Sequence, residues 1–184
     1  MKPRPWERLA REQLRDCRVF RLDRVIARSP TSGAEHDFFC IESAEWVNVV
    51  PITLHDEIVM VRQFRHGSQS LTLEIPGGLV DPGEAPAEAA ARELLEETGY
   101  RAGSVLPVGA VNPNPALFGN RVHTFVAPGV EKVGEIRNDA MEETVVELVP
   151  VAQIPSLVRA GRIDHALVLA GLYQWELLRR LEGA

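Results

Sequence analysis

Gly78–Tyr100, GLVDPGEAPAEAAARELLEETGY, is the stretch from which the rest of the chain can be read. Its first half is turn-rich: Gly78 and Gly83, with Gly77 just before and Asp81-Pro82 between, permit tight backbone angles. Its second half predicts a helix. Pro86 suits a first helical position, where no amide partner is needed, and Gly99 stands where a helix would end. Between them Ala87, Ala89, Ala90, Ala91, Leu94 and Leu95 favour helix. Glu93, Glu96 and Glu97 then fall at i, i+3 and i+4 and share one face. Ala87, Ala91, Leu94 and Leu95 lie roughly opposite, placed to pack on a core.

Three carboxylates on one face repel, at about a few tenths of a kcal/mol per pair. A divalent cation would reverse that sign, and carboxylate oxygens suit Mg²⁺ or Mn²⁺. Three glutamates alone read as an ordinary solvated acidic face; their wider spacing says more. Gly78, Glu84 and the run Arg92-Glu93-Leu94-Leu95-Glu96-Glu97-Thr98-Gly99-Tyr100 stand at intervals that resemble the complete signature of the Nudix hydrolases. The sequence departs from it only at Tyr100, where an aliphatic residue is usual.

Composition is compatible with that resemblance. The 184 residues fit one domain with room for a small appendage, and 45% hydrophobic with 25% charged residues can build a real core. A formal net charge of −6 disfavours a nucleic-acid binder, which normally shows a basic face. Cys17 and Cys40 are isolated and lack metal-type spacing. No apolar run approaches a membrane span, and the charged N-terminus lacks the apolar core of a signal peptide, so a cytoplasmic location is expected.

Residues 1–16 read as polar and helical after Pro5, with Trp6 as the odd residue. Cys17–Ile26 alternates apolar and basic residues, Ser29–Gly33 makes a turn, and His36–Ile41 returns, so an N-terminal β-hairpin is expected. Further strands are expected at Trp46–Leu54, Ile58–Gln63, Leu71–Ile75, Ala102–Ala110, Arg121–Ala127 and Val145–Val149. Val151–Arg159 reads as a short helix. A longer one is expected after Asp164 as its cap, with Ala166, Leu167, Leu169, Leu172, Leu177 and Leu178 as its apolar set.

The elements mix without βαβ regularity, which points to an α+β sandwich, a mixed sheet between helices. The resemblance implies the Nudix fold over residues 46–184, with residues 1–45 as a strand-bearing extension like that of the ADP-ribose pyrophosphatase branch. A hairpin with so little core must lie on another surface, and the branch pairs two subunits through it, so a homodimer is expected.

For the chemistry, the resemblance implies Mg²⁺-dependent hydrolysis of a nucleoside diphosphate linked to another moiety, with Mn²⁺ as a possible substitute. It makes Glu93, Glu96 and Glu97 metal ligands with the carbonyl of Gly77, and sets Arg92 beside them to hold a glutamate. Glu84, near the helix N-terminus, reads as structural. In this branch the general base is often a glutamate on a loop before a late strand, which points to Glu142 beside Glu143; otherwise a helix glutamate takes that role. Pro115 lies where the branch carries a proline marker, although Asn112-Pro113-Asn114-Pro115 is not the usual context. The segments VRQFRHG and LEIPGG also resemble the branch, making Arg65 a diphosphate or ribose contact and Glu74 either a substrate contact or a strand lock. Trp46, Trp6 and Phe118 offer flat surfaces for a nucleobase, Trp46 being equally suited to burial. ADP-ribose is the expected substrate. A broader nucleoside diphosphate sugar pyrophosphatase is the alternative, and a sensing domain without turnover is the remote one, disfavoured because Glu93, Glu96 and Glu97 are all present.

Overall fold

The computed structural model describes residues 2–138 and 142–183 and divides them into two compact units. The first comprises residues up to 44 together with 112–121. Its strands β1 (Glu7–Asp16), β2 (Phe20–Arg28) and β3 (Glu35–Ser43) form an antiparallel sheet in the order β1-β2-β3. The expected hairpin is the β2–β3 pair. Residues expected to be helical after Pro5 are instead β1, a correction with a clear cause. The run ERLAREQLRD offers too few apolar residues for a buried helical stripe, whereas an extended backbone puts its charges opposite partners. Glu7 meets Arg28 at 3.1 Å, Glu12 meets Arg24 at 3.6 Å, and Arg11 reaches both Asp23 and Glu42. Asp23 is buried between Arg11 and Arg21, whose contacts hold its carboxyl below the usual range against the opposing effect of burial. Trp6 stacks edge-on with His36 and Phe38. Residues 114–118 form a turn, and the Leu117 carbonyl accepts from the Ile41 amide at 2.7 Å.

The second unit comprises residues 45–111 and 122–183. Its strands are β4 (Trp46–Ile52), β5 (Glu57–Arg65), β6 (Ser70–Glu74), β7 (Gly77–Leu79), β8 (Tyr100–Arg101), β9 (Leu106–Val111), β10 (Val122–Pro128), β11 (Glu131–Lys132) and β12 (Thr144–Pro150). The helices are α1 (Pro86–Thr98), α2 (Ile154–Arg159) after a 3-10 turn at Val151–Gln153, and α3 (Ala166–Glu182). The main sheet runs β12-β5-β4-β10-β9, with β6 on β5 and β7 on β4; β8 and β11 pair separately. The β4–β10 pair is parallel and its neighbours are antiparallel, so the sheet is mixed as expected. Of the loop before β12, expected to carry Glu142 and Glu143, residues 139–141 lie outside the described residues.

Strand alternation builds two cores. Val47 and Val49 of β4, Val59 of β5, and Phe125 and Ala127 of β10 meet Ala89, Ala90 and Leu94 of α1. The intervening Val50, Ile58, Met60 and Val126 meet Val168, Leu172 and Trp175 of α3 on the other face. The buried line of α3 therefore runs through Val168, Leu172 and Trp175; Ala166 and Leu177, expected in its apolar set, are exposed. The residue before α3 is His165 rather than Asp164, and no side chain caps that end.

Candidate active site

Helix α1 starts and stops as the sequence dictates. Pro86 is its first residue, Glu88 accepts the Ala85 amide at 3.0 Å, and Gly99 ends it at φ 72° with its amide on the Leu95 carbonyl. Its buried side passes through Ala89, Ala90, Leu94, Glu97 and Thr98. Ala91, expected on that side, is exposed. Glu97, expected as a metal ligand on an exposed face shared with Glu93 and Glu96, is 3% exposed. The reason is β7, which brings the Gly77 amide to Glu97 Oε2 at 3.0 Å. Gly77–Leu79 pairs with Trp46–Asn48 of β4, so the expected turn-rich loop begins as a strand.

Arg92 organises the acidic face. Its Nε and Nη2 hold both oxygens of Glu84 at 2.9 Å, Nη2 also reaches the Leu79 carbonyl, and Nη1 donates to Glu93 at 2.9 Å and Glu96 at 3.1 Å. Glu84 is thereby an anchor for Arg92, and the bidentate contact depresses its pKa. The Glu93 carboxylate lies against Gly78, where any side chain would collide with it.

Burial pushes the Glu97 carboxyl up to about 8, opposed by the Gly77 amide and reinforced by the charges of Glu93 and Glu142. Glu93 is raised by burial first, eased by Arg92, and raised again by Glu142 and Glu96. Glu142, itself exposed, is thus within electrostatic reach of both helix carboxylates and of Arg65. Among the described residues no three His, Cys, Asp or Glu side chains already converge as a cation's ligands. Glu93 and Glu96 are turned to Arg92, and Glu97 to the Gly77 amide. The donor chemistry nonetheless fits a hard divalent ion: mutually repelling carboxylates held together gain most from such a charge.

Arg65 grips Glu74 with Nε and Nη2, each at 2.8 Å, and Thr72 Oγ1 adds a third bond to that carboxylate. Glu74 is 2% exposed, with its carboxylate turned to Arg65 and Thr72. The Trp46 indole is half-buried and donates to Asn48 Oδ1 at 3.0 Å, while Asn48 Nδ2 donates to the Leu167 carbonyl. Pro115 and Phe118 belong to the first unit, Pro115 exposed and Phe118 half-buried. Sequence reasoning missed Asn48, Thr72 and Thr144. A signal existed for two of them: Asn48 interrupts an apolar strand, and Thr72 shares a strand face with Glu74.

The NUDIX domain family matches residues 43–172 of this chain. The ADP-ribose pyrophosphatase of Mycobacterium tuberculosis is 30% identical over 178 residues, covering 94% of this chain and 84% of that protein. The ADP-sugar pyrophosphatase of Mus musculus is 34% identical over 146 residues, covering 74% and 67%. The ADP-ribose pyrophosphatase of Bacillus subtilis is 36% identical over 105 residues, and there the match spans only 56% of the relative's length. A crystal structure of an ADP compounds hydrolase superposes with a TM-score of 0.86, covering 100% of this chain and 98% of that one at 23% identity.

Proposed function

This chain belongs to the NUDIX domain family, and we propose that it hydrolyses the diphosphate bond of ADP-ribose, giving AMP and ribose 5-phosphate. The observation that carries this reading is the gathering of Glu93, Glu97 and Glu142 into mutual electrostatic range beside Gly77 and Arg65. The names of the relatives support ADP-ribose as the substrate. Glu93, Glu96 and Glu97, with the Gly77 carbonyl, would hold Mg²⁺ or Mn²⁺. When bound, the ion neutralises diphosphate charge and lowers the pKa of water.

The chain's own groups do the rest. Arg92 holds Glu93 and Glu96 against the repulsion between them. Arg65, steadied by Glu74, receives a phosphate oxygen. Glu142 accepts a proton from the attacking water as the water oxygen bonds to one phosphorus and the bridging P–O bond breaks. Trp46 is the nucleoside contact of the second unit; Pro115 and Phe118 are substrate contacts offered separately by the first. Residues 1–45 act as a pairing element of a homodimer, testable by light scattering, and the cytoplasm is the expected compartment.

The experiment is phosphate-coupled turnover of ADP-ribose, ADP-glucose, GDP-mannose, a dinucleoside polyphosphate and a nucleoside triphosphate, with Mg²⁺ and with EDTA. Cation-dependent turnover fastest on ADP-ribose is expected. Equal rates across the sugars would favour the broad nucleoside diphosphate sugar pyrophosphatase. Binding without turnover would favour a sensor.

A further inference from the structure

Glu74 is a buried carboxylate whose oxygens are almost fully engaged. Arg65 takes both of them, and Thr72 Oγ1 donates to Oε1. His165 also faces Oε2, with Nδ1 3.7 Å away, just beyond hydrogen-bond length. That Nδ1 is buried and has no hydrogen-bond partner. A buried ring nitrogen left unpaired carries a desolvation cost, and here the acceptor that would relieve it is a carboxylate oxygen one small movement away. His165 is placed by the chain rather than by chance. It directly precedes α3, its carbonyl accepts the Leu169 amide at 3.0 Å, and Asn48 of β4 ties down the same first turn through the Leu167 carbonyl. The start of α3 is therefore anchored to the sheet, with its leading side chain set against the partner of Arg65.

We propose that His165 is a positioning residue for substrate binding: with its proton on Nδ1 it closes onto Glu74 Oε2 and fixes the Arg65 guanidinium for the diphosphate. This rests on the reading of Arg65 as a diphosphate contact given above. Arg65 gives Glu74 its Nε and Nη2, which keeps Nη1 for another anion. A carboxylate free to swing would release that grip and blur the direction in which Nη1 donates. Because His165 acts through Glu74, its weight falls on substrate affinity and not on the chemical step.

Two measurements test this. The first is steady-state kinetics on ADP-ribose with Mg²⁺ for the wild type, His165→Ala and His165→Asn, each confirmed folded by circular dichroism. Alanine removes the donor, whereas asparagine places an amide N–H near the position of Nδ1. His165→Ala should raise KM about five- to tenfold, the weight of one hydrogen bond, with kcat within about twofold. His165→Asn should recover most of that loss. An unchanged KM in His165→Ala, a loss confined to kcat, or equal damage in both variants would overturn the proposal. The second is long-range ¹H–¹⁵N NMR of the ion-free wild type at neutral pH, which should show His165 protonated on Nδ1; an unprotonated Nδ1 would overturn the contact. If the wild type turns over none of the diphosphate substrates, the reading of the activity has failed, and the NMR result alone decides whether His165 engages Glu74.

Discussion

The carboxylate of Glu93 occupies the space where a side chain at Gly78 would begin: a β-carbon there would lie 2.1 Å from Glu93 Oε1 and 2.3 Å from Glu93 Cδ. Glu93 is the end of a flexible side chain and can swing aside. At Gly77 the obstacle is backbone, the Val47 carbonyl oxygen of the central strand at 2.2 Å. Gly78→Ala should therefore keep the fold, within about 1 kcal/mol of wild type, and lose turnover. The loss should be at least about tenfold, as for removal of one well-placed electrostatic group. Gly77→Ala should unfold at clearly lower temperature. Thermal melts and ADP-ribose turnover on the same preparations check both, and a fully active Gly78→Ala would remove Glu93 from the site.

Arg92 makes five contacts of at most 3.1 Å, to Glu84, Leu79, Glu93 and Glu96. Lysine keeps the charge and loses the fork. Arg92→Lys should cost about 1–3 kcal/mol in stability. It should also lower turnover, because Glu93 and Glu96 lose the group that sets their direction. Urea unfolding and kcat read these separately; unchanged values in both would mean the fork carries neither load.

Glu74 has a pKa below the usual carboxylate value: burial alone would raise it, and the bonds from Arg65 and Thr72 outweigh that. A depressed folded-state pKa means stability that is present above the unfolded value of 4.5 and lost as pH falls through the lower folded value. Glu74→Gln should be destabilised at neutral pH by about 2–4 kcal/mol, since Arg65 is left without its charge partner. The gap to wild type should close as the pH falls below 4.5. Urea titrations at neutral and acid pH decide this, and a gap that widens in acid would refute the assignment.

Glu142 and Glu97 separate by environment. Glu142 is exposed, so Glu142→Gln should leave the melting temperature near wild type and lower kcat by about a hundredfold or more, as expected for loss of a general base. Glu97 is buried among like charges. Glu97→Gln should also abolish turnover, yet with EDTA present it should melt no lower than wild type, because burial and the neighbouring charges already oppose ionisation of that carboxyl and an amide is neutral at every pH. Full kcat in Glu142→Gln would pass the role of base to a helix glutamate.

Much of this was legible in the sequence because it is encoded locally. Pro86 and Gly99 bracket α1, the three-and-four spacing puts Glu93, Glu96 and Glu97 together, and apolar runs mark β4, β5 and β10. What was not legible depends on a distant partner. The strand at Glu7–Asp16 exists through charges waiting on β2 and β3, which local preference cannot show. The burial of Glu97 depends on β7 lying alongside α1, and periodicity describes a helix face without saying what will cover it. The polar lock of Arg65, Glu74 and Thr72 was half visible: the ionic pair could be guessed, but not that its carboxylate end would be buried beside Thr72.

Thr144 is a small residue with a large geometric effect. Its hydroxyl donates to the Glu97 carbonyl at 2.9 Å and meets the Asn138 side chain at 3.0 Å, so the chain is moored to the end of α1 just as β12 begins. Glu142 stands two positions upstream of that mooring. Two residues of extended backbone reach no more than about 7 Å, so Glu142 is on a short leash whose fixed end is the helix that carries Glu97. Its backbone therefore stays within about 7 Å of Thr144 and moves with the end of α1. If Glu142 is the base proposed above, the water it activates must lie within reach of that tether.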